Sequence, residues 1–188
     1  MLTTLIQDRP VIKDLTDYLQ KKTSPTATEI SILLSSPDVQ VGLILTERLI
    51  NMPPEIVPPM YTMLLEEIDW AVEEKEPYKF THYLVLSKVY SEVESKVDQE
   101  DDRPSKKKKK ADSLEEVLYF HPEDEVLHKY ARKHWTYEYS KQDDEGSSDS
   151  KRAFNEMGIS SKGHLILIDS QNFNDAVRAV AEFLKPHS

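Results

Sequence analysis

The sequence predicts an α/β (α+β) sandwich organised on a mixed sheet, and three observations carry that prediction. Short apolar runs rich in β-branched and aromatic residues alternate with segments whose apolar residues recur at helical spacing. The densest alternation, Val41 to Trp70, joins an apolar run to an amphipathic segment through two proline pairs. At 188 residues the chain is also long enough to bury a substantial core as a single domain, 1–188.

Taken in order, Val11, Leu15, Tyr18 and Leu19 are spaced for an amphipathic helix over residues 10–22, opening at Pro10. Thr26 to Leu34 reads as a second short helix, with Thr26 or Thr28 as its cap and Ile30, Leu33 and Leu34 inward. Val41 to Leu45 (VGLIL) reads as a buried strand. The rival is a helix over Ser36 to Ile50, started by Ser-Pro-Asp, and Gly42 weighs against it. Pro53-Pro54 and Pro58-Pro59 fit neither a helix interior nor a central strand, although Pro59 suits a first helical turn. A helix of about four turns follows, its inner stripe read as Ile56, Met60, Met63, Leu64, Ile68 and Ala71. Phe80 to Tyr90 (FTHYLVLSKVY) is a strand, apolar on both faces over Tyr83 to Leu86.

Residues 91–113 change character. Glu92, Glu94, Asp98, Glu100, Asp101 and Asp102 precede Arg103-Pro104-Ser105 and the run Lys106, Lys107, Lys108, Lys109 and Lys110. Such a block has little to bury and is expected to be a disordered insertion, either a plain solvated loop or a basic address for a nuclear import receptor. Leu114 to Phe120 reads as a helix or an aromatic edge. His121-Pro122-Glu123-Asp124-Glu125 then opens a helix, proline early and acids in the first turn, with Val126, Leu127, Tyr130 and Ala131 inward. Trp135, Tyr137 and Tyr139 alternate with polar residues, as in a half-buried strand. A second polar insertion covers 141–153. His164 to Asp169 (HLILID) is a buried strand. Ser170 is placed to cap a last helix, with Phe173, Val177, Val180 and Leu184 inward until Pro186.

Charge narrows the function. The formal net charge is −10, from 24 basic and 34 acidic residues, which opposes a general affinity for nucleic-acid phosphates and suits basic partners. The absence of cysteine excludes disulfides, thiol catalysis and cysteine-based zinc sites. No apolar run approaches the ~20 residues a membrane span needs, and the start lacks the pattern of a secretory signal, so an intracellular chain with no membrane partner is expected.

Catalytic chemistry is sought and mostly missing. His121 and His128 lie seven apart, two helical turns from each other, and no HExxH or similar ligand spacing occurs, so no metal site is expected. No serine sits in a GxSxG elbow. Glu66-Glu67 and Glu73-Glu74 diverge on a helix and look like a solvated acidic face. The glycines Gly42, Gly146, Gly158 and Gly163 are too far apart to build a phosphate-cradling loop.

Several segments together resemble one family. VGLILTERLINMPPEIVPPMY, HYLVLSKVY, HPEDEVLHKYA, HWTYEY and HLILIDSQNFNDAV, with a lysine-rich insertion after SKVY, are similar to the BCCIP family, from about Pro10 onward. The resemblance implies a domain lacking the family's N-terminal part, with its sheet short of the first strands and an edge left open. It also implies a fold like the C-terminal part of the GCN-type N-acetyltransferases, here non-enzymatic and without a cofactor. Its implied function is that of a nuclear and cytoplasmic adaptor or chaperone. Such a protein would escort a basic client, a large-subunit ribosomal protein being the candidate, and support nuclear export and ribosome biogenesis with nuclear transport receptors. The alternatives are a coenzyme A-binding acyltransferase-like protein and a scaffold of a DNA-repair or cell-cycle complex.

Three residue groups follow from these readings. Glu66, Glu67, Asp69, Glu73, Glu74 and Glu76 are the candidate protein-binding face. Glu47, Arg48, Asn51, Pro53 and Pro54 form a structural motif at the prolyl crossing. Lys106 to Lys110 are the nuclear-import candidate, and no direct contact with nucleic acid is expected.

Overall fold

The computed structural model describes residues 2–5, 17–18, 21, 32–33, 36–46, 52–92, 117–139 and 159–185, with residues 2–5 and 92 described by their backbone. Six strands form one mixed sheet: β1 (Leu2–Leu5), β2 (Val41–Leu45), β3 (His82–Glu92), β4 (Leu118–Tyr119), β5 (Lys133–Glu138) and β6 (Ile159–Asp169). Among the described residues, three α-helices are seen end to end: α1 (Val57–Glu73), α2 (Pro122–Lys129) and α3 (Ser170–Phe183). The order across the sheet is β1-β2-β3-β6-β5, with β4 paired to β3 beyond the end of β2. β2 and β3 run parallel, joined by α1, and every other pairing is antiparallel.

Both faces of the sheet are apolar because period-two side chains from central strands must meet something on either side. One face carries Ile44, Tyr83, Val85, Ile166 and Ile168 against Tyr61 and Leu64 of α1, Leu127 of α2 and Phe173 and Val177 of α3. The other carries Val41, Leu43, Leu84, Trp135, Tyr137, Leu165 and Leu167, against which Tyr18 and Leu33 pack. Residues 17, 18, 21, 32 and 33 are helical, in keeping with the two expected N-terminal helices, whose other residues lie outside those described.

Val41–Leu45 is a strand, as preferred over the helix, and Gly42 leaves room for the Phe80 ring that packs on it. β1, a strand the sequence reading did not expect, pairs with β2 and is the end strand on that side of the sheet. The inner stripe of α1 keeps the expected Leu64, with Ile56 and Ile68 packed beside it, but is rotated: Val57 and Tyr61 are buried, whereas Met63 is 58% exposed. Tyr61 stacks edge-on against Phe173, and this aromatic contact sets the helix rotation. β3 extends through Ser91 and Glu92, two residues the sequence reading gives to the insertion, because they pair with Ser160 and Ile159. Asp169, not Ser170, occupies the N-cap of α3, and its side chain makes no cap bond because Arg132 and His82 hold it. Leu118–Tyr119 realises the aromatic-edge reading. No described helix is long and apolar enough to cross a membrane.

Candidate functional site

The outer face of α1 combines acid with exposed apolar surface. Pro58 and Pro59 occupy the first turn, where their missing N–H groups cost nothing, and the Val57 N–H is spent on the Pro54 carbonyl. Burial of Val57, Tyr61 and Leu64 turns Glu66, Glu67, Asp69, Glu73 and Glu74 outward, and Glu76 is exposed just beyond the helix. Among these acids lie two exposed apolar side chains one heptad apart, Met63 and Trp70, the latter 66% exposed. The helix ends in a closed motif: the Glu76 N–H donates to the Ala71 carbonyl at 2.9 Å and the Lys75 N–H to the Val72 carbonyl at 3.1 Å. Lys75 takes the left-handed conformation, φ 64°, that this motif requires.

A second group gathers where β2 and β3 begin and β6 ends, beside a cavity of about 750 Å³ lined by Asp38, Gln40, Thr81, His82, Arg132 and Asp169 among others. His82 Nε2 lies 3.1 Å from the Asp169 carboxylate, which also takes an Arg132 N–H at 3.2 Å. Thr81 Oγ1 is 2.9 Å from His82 Nδ1, accepts the Gln40 N–H at 3.1 Å and donates to the Gln40 carbonyl at 3.0 Å. Burial lowers the His82 pKa, Asp169 opposes that, and Arg132 adds to it. A hydroxyl tied twice to one backbone residue is a clasp of strand ends and a poor nucleophile.

At the opposite end of the sheet, polar groups are buried under α2. Asp124 is fully buried and accepts the Ser87 hydroxyl at 2.6 Å, while Glu123 is 1% exposed. Nearby, His128 of α2, His134 of β5 and His164 of β6 come together, their ligand-capable atoms all within 4.8 Å of one another. Sequence spacing did not show this trio, since the three residues come from three elements and the fold alone unites them. The β5–β6 register pairs Thr136 with His164 and so sets His134 diagonally across from His164.

The six acids expected to bind a partner are all exposed, five along α1 and its cap and Glu76 just beyond. Pro53 and Pro54 lead into the short 3₁₀ turn Pro54–Ile56 that starts α1. Glu47, Arg48, Asn51 and Lys106 to Lys110 lie outside the described residues, as do the insertions beyond Glu92 and over 141–153.

Comparison with known proteins agrees with this architecture. The family model described as BCCIP matches residues 2–127, well over half of the chain. Protein bcp1 of Aspergillus oryzae is 57% identical over 183 residues, covering 96% of this chain and 63% of that protein. Protein bcp1 of Schizosaccharomyces pombe is 47% identical over 183 residues, covering 94% of this chain and 64% of that protein. The chain therefore spans less than two thirds of the length of these relatives. The crystal structure of BCP1 from Saccharomyces cerevisiae superimposes with a TM-score of 0.53 at 23% identity, over 91% of this chain and 60% of that one, and so shares its fold. With a mixed α/β fold of that kind and a family match of that extent, the chain belongs to the BCCIP family.

Proposed function

We propose that this chain is a non-enzymatic adaptor that binds a basic protein client, a large-subunit ribosomal protein being the candidate, and serves nuclear export and ribosome biogenesis in nucleus and cytoplasm. The observation that carries the reading is the outer face of α1, where Met63 and Trp70 stand exposed among Glu66, Glu67, Asp69, Glu73 and Glu74. An aromatic anchor ringed by one sign of charge is what a basic amphipathic segment docks on: the ring gives affinity, the acids give encounter rate and register. A net charge of −10 extends the same field over the molecule. Lys106 to Lys110 serve as the address read by an import receptor.

The order β2, α1, β3, α2, β5, β6, α3, with β1 and β4 set aside, is what favours a likeness to the second half of the GCN-type acetyltransferase fold. The chemistry of that fold has no support here. Coenzyme A pyrophosphate needs backbone N–H donors between a central strand and the next helix. In this chain that connection has no glycine, Pro53 and Pro54 precede α1, and Pro58 and Pro59 remove donors from its first turn.

The test is retention of proteins extracted from salt-washed large ribosomal subunits on the immobilised chain. One basic component is expected to be held by the wild type and lost by both Trp70→Ala and the triple variant Glu66→Gln/Glu73→Gln/Glu74→Gln. Equal retention by all three would rule this face out. For the lysine run, glutamine replacements in a large fluorescent fusion are expected to move it out of the nucleus, and an unchanged distribution argues for a solvated loop.

A further inference from the structure

We infer that His128, His134 and His164 form a binding site for a first-row divalent metal ion, zinc foremost, with a fourth position open to solvent. Three imidazole nitrogens within 4.8 Å of one another are close to the arrangement such an ion needs. Two nitrogens on one tetrahedral zinc, each at 2.0–2.1 Å, stand about 3.3 Å apart. His128 Nδ1 and His164 Nε2 are 3.0 Å apart, with ring planes only 4° from parallel, so a small opening of that pair seats both on one ion. His134 lies on the exposed side of β5 with its ring centroid 4.2 Å from that of His128.

The surroundings are arranged as they are around metal-bound imidazoles. Thr136 Oγ1 holds His164 Nδ1 at 2.9 Å, which leaves Nε2 facing the cluster and fixes the ring. Tyr119 Oη sits 2.5 Å from His128 Nδ1, the same nitrogen that faces His164. An imidazole nitrogen has one in-plane lone pair or one proton, so it satisfies only one of these two neighbours fully. A cation on that lone pair ends the competition by displacing both neighbours, so the Tyr119 hydroxyl would turn away from Nδ1. His128 also lies in the last turn of α2, at the negative end of the helix dipole, where a cation is favoured. Imidazole donors select zinc, copper, nickel or iron over magnesium and calcium, which take oxygen ligands. Because His134 is exposed, the ion would face solvent and keep room for a water or an anionic ligand.

The experiment uses the full chain freed of metal by chelator and titrated with Zn²⁺ and, separately, Co²⁺. Calorimetry should show one equivalent bound, Tm should rise, and Co²⁺ should give the visible absorption of a tetrahedral nitrogen-ligated ion. His134→Ala, on an exposed position, should keep the fold by circular dichroism and weaken binding by more than about 100-fold, beyond the 10–100-fold typical of outer-partner loss. Thr136→Val should weaken it about 10-fold. His164→Gln should also abolish binding; if that variant does not fold, the His134→Ala comparison decides. No binding by the wild type, or equal binding by His134→Ala, overturns the site.

Discussion

Trp70→Ala separates binding from folding more sharply than any other single change on α1. With 66% of its surface exposed, about 165 Å² of the roughly 250 Å² a tryptophan carries remains for a partner to cover. At about 25 cal/mol per Å² that is an upper bound of ~4 kcal/mol. Ordering of the partner and imperfect fit reduce it to ~2 kcal/mol, the lower range for a hot spot and about 30-fold in Kd. Folding should barely notice, since an exposed substitution usually shifts stability by less than about 0.5 kcal/mol. Urea denaturation of the variant should therefore overlay the wild type. Fluorescence anisotropy of the retained ribosomal protein should show the 30-fold loss. An unchanged Kd, or a loss of binding matched by a loss of stability, refutes the reasoning.

Other consequences are structural. Lys75→Gly should raise stability by about 1 kcal/mol, or 2–4 °C in Tm, because Lys75 pays the left-handed penalty at φ 64° while both C-terminal hydrogen bonds persist; a thermal melt checks it. Gly163→Ala should cost about 1–3 kcal/mol in urea denaturation, since an added Cβ would land on the buried Tyr137 ring across the β5–β6 pair. The lowered pKa of His82 makes a pH prediction. The unfolded chain takes up the proton near pH 6.5 and the folded chain does so only lower, so stability is full above pH 6.5 and falls as pH drops below it. His82→Gln should flatten that part of the pH profile of urea midpoints relative to wild type.

The sequence was legible where a local pattern sufficed. Val41 to Leu45 was readable as a strand because Gly42 disfavours a helix, and the opening of α2 because proline and acids mark a first turn. The acidic face was legible too, since outward acids and an inward stripe are both local. The rotation of α1 was not. Met63 and Tyr61 are both amphiphilic candidates for the stripe, and the choice is made by Phe173, more than a hundred residues along the chain. The consequence bears on the proposed face, because the rotation turns Met63 outward beside Trp70. The histidine trio was hidden for a similar reason. Spacing exposes ligands that share a helix, as His121 and His128 would, whereas His128, His134 and His164 meet only through the β5–β6 register and the docking of α2.

The most direct measurement of the central claim is the rate at which the chain captures the proposed ribosomal-protein client as ionic strength is raised, for wild type and for Glu66→Gln/Glu73→Gln/Glu74→Gln. Exposed charges act over ~10 Å at 0.1 M salt, so association guided by the α1 face should slow steeply with salt. The triple variant should start slower, show a shallower salt dependence and keep wild-type or slightly higher stability, because like charges no longer crowd the helix. Equal rates and equal salt dependence in the two proteins would contradict the assignment of this face as the client-binding surface.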